Sequence, residues 1–266
     1  MSGVTIIAGN GVFPRLVAEG ARRKGIKVGM VSLIGEASPE TENAADDVGR
    51  IHVGQVGGML KYLKKFGNKN VVFAGGVNKV GLLTGARPDF EAIKLFARLR
   101  DKKDDSLLKA VALFIEKNGF SVVAGTEFCP GIVVGLGAMT GRMPAKVEVG
   151  DAEYGLRVLA ALSPFSTGQS VLVKKGTVLA IETAEGTDSA IKRVREMKIK
   201  GAVLVKAAKI GQARRFDTPA IGPATVAACA RAGVRAIFLG AGAAMLLGVE
   251  ETLSAADREG ISITGI

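Results

Sequence analysis

Along the first half of the chain, short apolar runs alternate with longer amphipathic stretches. The runs at 4–8, 27–33, 50–53, 70–74 and 120–124 are of strand length, and the stretches at 14–24, 57–66, 90–99 and 106–118 are of helix length. Strands that alternate with helices in this way imply successive βαβ crossovers, hence a largely parallel sheet covered by helices on both faces. Such sheets bind ligands at the carboxyl ends of their strands. A Rossmann-like α/β domain is therefore expected over residues 1–128.

Periodicity fades after Phe128. Pro130, Gly131, Gly135, Gly137, Gly141 and Pro144 interrupt any long element, so residues 129–149 read as a Gly/Pro-containing linker. The pattern resumes with a helix at 151–162, strands at 170–174 and 178–182, a helix at 187–198 and a strand at 202–206. A short strand near 220–221, a helix at 223–232, a strand at 236–240, a helix at 249–259 and a strand at 261–264 complete a second α/β domain over 150–266. No sequence repeat relates the halves. The predicted fold class is α/β, with two α/β domains.

Composition agrees with that class and narrows the partners. With 266 residues, 48% of them hydrophobic, the chain can fill its cores, and 36 glycines with only 5% aromatics suit strand-to-helix turns better than a β-sandwich. The formal charge of +11 favours anionic partners, among them nucleic acid, anionic lipid and phosphorylated metabolites. The basic clusters Arg22-Arg23-Lys24, Lys61 with Lys64-Lys65, and Lys192-Arg193 with Arg195 lie on expected helix faces without interleaved aromatics for base stacking, which counts against nucleic acid. Cys129 and Cys229 are too far apart for a metal-ligand pattern, and a reducing cytosol is expected. The amino terminus lacks a signal-peptide pattern, and no apolar stretch reaches the ~18 residues of a transmembrane helix, so membrane contact is expected to be peripheral.

Candidate chemistry sits in the turns. Gly9-Asn10-Gly11 joins the first strand to a helix and serves either as a plain tight turn or as a cradle for phosphate or ribose; Pro14 stands where a dinucleotide fingerprint has its third small residue. Gly75-Gly76 with Asn78 repeats the arrangement after a later strand, where Asn78 could read a base or sugar. Gly240-Ala241-Gly242 reads as a buried turn. Asp104 and Asp105 are explained either by capping the helix that follows or by a ligand role. The same alternatives hold for Glu185-Gly186-Thr187-Asp188, in which capping does not require Glu185 or Gly186. The segment from Lys206 through Lys209 and Gln212 to Asp217 gathers cations and a carboxylate, and Asp217 is either a surface ion-pair partner or a metal ligand or base. His52, the lone histidine, reads as packing or capping.

Taken in order, these strings resemble the LpxI-type UDP-2,3-diacylglucosamine pyrophosphatase family of lipid A biosynthesis. The resemblance rests on Ile7-Ala8-Gly9-Asn10-Gly11 with Pro14, Phe73-Ala74-Gly75, Asp104-Asp105-Ser106-Leu107-Leu108 and Gly168-Gln169-Ser170-Val171. It continues through Val178-Leu179-Ala180-Ile181-Glu182, Glu185 to Asp188, Leu204-Val205-Lys206, Lys209, Gln212, Asp217, Pro219-Ala220-Ile221-Gly222 and Thr225. It implies a two-domain, magnesium-dependent enzyme that hydrolyses UDP-2,3-diacylglucosamine to UMP and 2,3-diacylglucosamine 1-phosphate, with water entering the lipid phosphate. It also implies a catalytic role for Asp217, metal contacts from Asp217, Asp188 and Glu185, and the diphosphate on Lys206 and Lys209. Gly9, Asn10, Gly11, Gly75, Gly76, Asn78, Asp104, Asp105, Gly186, Thr187 and Gln212 complete the substrate contacts under the same likeness.

The sequence departs from the family pattern at Ile210, Ala213 and Gly240, where the family commonly has proline, an acidic residue nearby, and glutamate. Those departures keep a second class in view, a protein that captures a UDP-linked lipid without cleaving it, or a pyrophosphatase for a related nucleotide-sugar lipid. The expected location is the cytoplasmic face of the inner membrane, held peripherally by anionic lipid. A homo-oligomer is compatible with the sequence.

Overall fold

The computed structural model describes residues 3–77, 86–97, 104–165, 167–209, 215 and 218–266, with the backbone alone at 104 and 105. Asn78, Ile210, Gln212, Ala213 and Asp217, with the side chains of Asp104 and Asp105, lie outside the described residues. The chain divides into two compact units, Met1–Pro130 with Ala213–Asp217, and Gly131–Gln212 with Thr218–Ile266. Both are α/β.

In the first unit β1 (Gly3–Ala8), β2 (Lys27–Leu33), β3 (Asp47–Ile51), β4 (Asn70–Ala74) and β5 (Ser121–Val122) form a parallel sheet in the order β3-β2-β1-β4-β5. Every residue of β1 is buried, as a central parallel strand requires, and its one polar side chain, Thr5, accepts a hydrogen bond from Asn68 Nδ2 at 3.2 Å. Ile7, Val31 and Val71 share a core with Val56, Met59 and Leu63 of α3 (Val56–Phe66), Ala92 of α4 (Phe90–Phe96) and Ala112 and Ile115 of α5 (Asp104–Lys117). Alternation turns Ile6, Met30 and Val72 to the opposite face, and α1 (Phe13–Arg23) packs on β1 and β2 with Val17, Ala18 and Ala21 fully buried. Burying each large apolar side chain contributes about 1.5–3 kcal/mol.

Two local features differ from the pattern-based expectation. β3 starts at Asp47 and ends at Ile51, upstream of the expected 50–53, because it is an edge strand with a solvated side and so accepts Asp47 and Arg50. Asp46 fixes its entry by accepting the Val28 amide at 2.8 Å. The single turn α2 (Pro39–Glu42), capped by Ser38, is too short to show a period.

The second unit begins its main helix, α6 (Lys146–Leu162), upstream of the expected Asp151. The reason is polar: Glu148 accepts the Ala145 amide at 2.8 Å and takes a forked contact from Arg142 at 2.7 and 2.9 Å, so the first turn is fixed by charge where no hydrophobic period marks it. Its strands are β6 (Gly137–Ala138), β7 (Ser170–Lys174), β8 (Thr177–Ile181), β9 (Ala202–Lys206), β10 (Ala220–Ile221), β11 (Val234–Leu239), β12 (Met245–Leu246) and β13 (Ser262–Gly265). The main sheet runs β6-β13-β11-β9-β7-β8, with β9, β11 and β13 parallel and β6 and β7 antiparallel to their inner neighbours; β10 and β12 pair separately.

Strict alternation gives this sheet two cores. Leu172, Leu204 and Ile237 face Ala190, Ile191 and Val194 of α7 (Thr187–Glu196), Val226 and Cys229 of α8 (Pro223–Ala232) and Ala256 of α9 (Val249–Arg258). Val171, Val173, Val203, Val205, Ala236 and Phe238 point the other way, onto Ala152 and its neighbours in α6.

Candidate active site

In the first unit the strand order reverses between β1 and β4, the position at which open α/β sheets form a ligand crevice. The backbone closes tightly there. The Gly9 amide donates to the Ala74 carbonyl at 2.8 Å, Asn10 N to Gly76 O at 2.8 Å, and Gly76 N back to Asn10 O at 3.2 Å. A Cβ at Gly9 would lie 2.1 Å from the Gly76 oxygen, and one at Gly75, whose φ is +85°, would lie 2.4 Å from the Asn10 oxygen. Close backbone approach thus accounts for Gly9 and Gly75 without any ligand. Gly11, with φ +86° and open space around it, answers to conformation alone.

Asn10 is exposed and donates from Nδ2 to Glu36 Oε2 at 2.7 Å. Glu36, three residues beyond the end of β2, was missed by the sequence reading; an acidic residue in the turn after a central strand was the available signal. His52 lies with Nε2 3.3 Å from Arg87 Nη1, in the same unit. Arg215 also belongs to this unit, donating to Glu116 Oε1 at 2.7 Å and to the Val122 carbonyl at 3.0 Å.

The second unit builds its candidate site from side chains. Register places Ser170 of β7 opposite Lys206, the last residue of β9, and the Glu182 amide donates to the Ser170 carbonyl at 2.9 Å, so three adjacent strands end in a row. Glu182 lies two residues past Ala180, which is paired with Leu172 and buried in the helix-covered core, so its carboxylate turns toward that same side. The turn at Gly186, φ +86°, brings Thr187 over the row as the first residue of α7.

All four side chains meet. Lys206 Nζ donates to Thr187 Oγ1 at 2.7 Å, to Ser170 Oγ at 3.0 Å and to Glu182 Oε2 at 3.3 Å, and Thr187 Oγ1 donates to Glu182 Oε2 at 2.9 Å. The lysine side chain is 6% exposed and the glutamate 15%. Burial by itself raises the Glu182 carboxyl, but the Lys206 ammonium and hydrogen bonds from Ser170 and Thr187 outweigh it, and the pKa lies below the ordinary glutamate value.

Of the other expected site residues, Lys209 is half-buried in the run after β9, and Glu185 and Asp188 are exposed around the start of α7. Glu185 Oε1 is ion-paired with Arg193 Nη2 at 2.8 Å, and Arg193 also donates to the Ile181 carbonyl at 2.6 Å. Among the described residues, no three His, Cys, Asp or Glu side chains gather as a metal group, so those residues alone do not make a magnesium site. The thiols offer no nucleophile: burial pushes Cys129 up to about 11 and raises Cys229 further.

Comparison with known proteins gives these strand ends a context. The LpxI N-terminal domain family matches residues 3–132 and the LpxI C-terminal domain family matches residues 135–264. The chain belongs to the LpxI family. A curated LpxI relative from Caulobacter vibrioides, named UDP-2,3-diacylglucosamine pyrophosphatase LpxI, is 32% identical over 273 aligned positions, covering 98% of this chain and 96% of the relative. Solved structures align far less well. The biotin carboxylase subunit of pyruvate carboxylase is 11% identical with a TM-score of 0.29, covering 65% of this chain and 35% of its own. Phosphoribosylglycinamide synthetase from Anaerococcus prevotii is 10% identical with a TM-score of 0.28, covering 71% of this chain and 42% of its own. The chain thus spans less than half of either structure, and likeness at this level carries no argument beside the LpxI match.

Proposed function

We propose that this LpxI-family protein hydrolyses the diphosphate of UDP-2,3-diacylglucosamine, releasing UMP and 2,3-diacylglucosamine 1-phosphate, the lipid product of this step in lipid A biosynthesis. The observation that carries the reading is the likeness to the named pyrophosphatase over 98% of the chain, in both domains. The geometry supports it: one sheet has a switch point at which Asn10 is exposed, and the other ends in a charged network at Lys206, three residues before Lys209.

The proposed division of labour follows the chain. Asn10 and Gly11, with Gly76, face the nucleotide or sugar, Lys209 and the first turn of α7 meet the diphosphate, and Asp217 activates or orients water. Magnesium belongs to the same proposal, and when bound it would neutralise charge on the diphosphate. Asp217 and Asp188 are its proposed holders, with Glu185, one of whose oxygens is ion-paired with Arg193, as the third. Peripheral attachment at the cytoplasmic face of the inner membrane completes the reading. It is supported by the +11 charge and by the finding that, among the described residues, no helix is long and apolar enough to cross a membrane.

The test compares UMP release from UDP-2,3-diacylglucosamine by the wild type and Asp217→Ala, each with magnesium or a chelator. The expected result is release that stops with chelation and falls by several orders of magnitude in the variant. Binding of the lipid without release would favour the capture protein.

A further inference from the structure

We infer that Lys206 is a positioning residue and not a phosphate ligand, and that Glu182 and Ser170 share that role with it. The inference rests on the pyrophosphatase reading and reassigns one of its cations.

An ammonium carries three N–H donors, and in this structure three acceptors meet Lys206 Nζ: Thr187 Oγ1, Ser170 Oγ and Glu182 Oε2. A phosphate oxygen could reach it only by displacing one of them. Glu182 already balances the charge, so a diphosphate brought to the same point would sit against a half-buried carboxylate. Fixed cations for a substrate are useful when they point outward with donors to spare; this one is buried with its donors engaged.

The network instead ties together the pieces of chain that carry the site. Lys206 ends β9, and its carbonyl accepts the Gly240 amide at 3.0 Å, while the next residue, Ala207, donates to the Gln169 carbonyl at 3.0 Å. The ammonium fixes where the run toward Lys209 begins. Through Thr187 it also fixes the first turn of α7, which carries Asp188. A buried ion pair is a poor source of net stability compared with apolar packing, so its value here lies in setting geometry at the mouth of the second sheet.

The experiment is a double-variant cycle in the full chain: Lys206→Met, Glu182→Gln and both together, each assayed for UMP release and for thermal unfolding. Each single change leaves one member of the pair without its ionic partner and is expected to lower kcat about tenfold or more, whereas the double variant is expected to recover most of that loss with KM little changed. Ser170→Ala guards against singles that do not fold. Ser170 is fully buried, so no substrate touches it, and a fall in kcat of roughly threefold to tenfold would arise through the network of Lys206, Glu182 and Thr187 that it joins. A double variant as impaired as Lys206→Met, or one with a raised KM, would make Lys206 a ligand and overturn the inference. So would changes in melting temperature with kcat unaltered in every folded variant, Ser170→Ala included. A wild type that releases no UMP overturns the pyrophosphatase reading and this inference with it, while an active wild type without coupling overturns the inference alone.

Discussion

The ends of the two sheets are built in opposite ways. Where β1 and β4 meet, the chain uses residues with no side chain, and backbone packs directly on backbone at Gly9, Gly75 and Gly76. Where β7, β8 and β9 meet, it buries a lysine and a serine against a half-buried glutamate and threonine, and the four satisfy one another. The first arrangement is limited by space and indifferent to charge. The second is limited by charge balance and tolerates changes of volume only if that balance is kept. Comparable α/β frames therefore need different experiments to disturb them.

The largest effect is expected at the charged end. Glu182→Ala strands the buried Lys206 ammonium and should cost about 3–5 kcal/mol, read as a lowered unfolding transition, while the double variant with Lys206→Met should lose much less. At the backbone end, Gly9→Ala drives a methyl group into the Gly76 carbonyl and should cost about 2–3 kcal/mol. Gly11→Ala, strained in φ but free of clashes, should cost about 1–2 kcal/mol, and a Gly11 variant as damaging as Gly9→Ala would break the spatial argument.

Acid should separate the two regions further. The folded-state pKa of Glu182 is depressed below its ordinary 4.5, so its stabilisation is complete above that value and is lost as pH falls through the folded-state value. Unfolding followed from pH about 6 down to about 3 should show a steeper acid loss in the wild type than in Glu182→Gln. Parallel curves would mean that the carboxylate contributes nothing specific. The smallest effect is expected for Gly240→Ala: its Cβ would meet Ala207 at 3.5 Å, an ordinary contact, so thermal unfolding should shift by less than about 1 kcal/mol.

Continuous apolar runs made much of this fold legible. β2, β4, β7 and β9 and helix α8 fall at 27–33, 70–74, 170–174, 202–206 and 223–232, as the pattern predicts, because central strands and core helices must be apolar where they are buried. β6 and β12 were not legible, since two residues carry no period, and neither was the start of α6, which Arg142 and Glu148 set by charge. The candidate site was legible in part. Thr187 and Lys206 were singled out and do meet, but Glu182 was not, although it continues the inward step from Ala180. That Ser170, Glu182 and Lys206 form a row depends on strand register across separate stretches of chain, which a single sequence does not display.

The most direct test of the account follows UDP-2,3-diacylglucosamine turnover by the purified wild-type protein in heavy-oxygen water, with the isotope located in the two phosphate products. The account predicts magnesium-dependent UMP release, with the label in the lipid phosphate and none in UMP. Substrate binding without UMP release, or label in UMP, would contradict it.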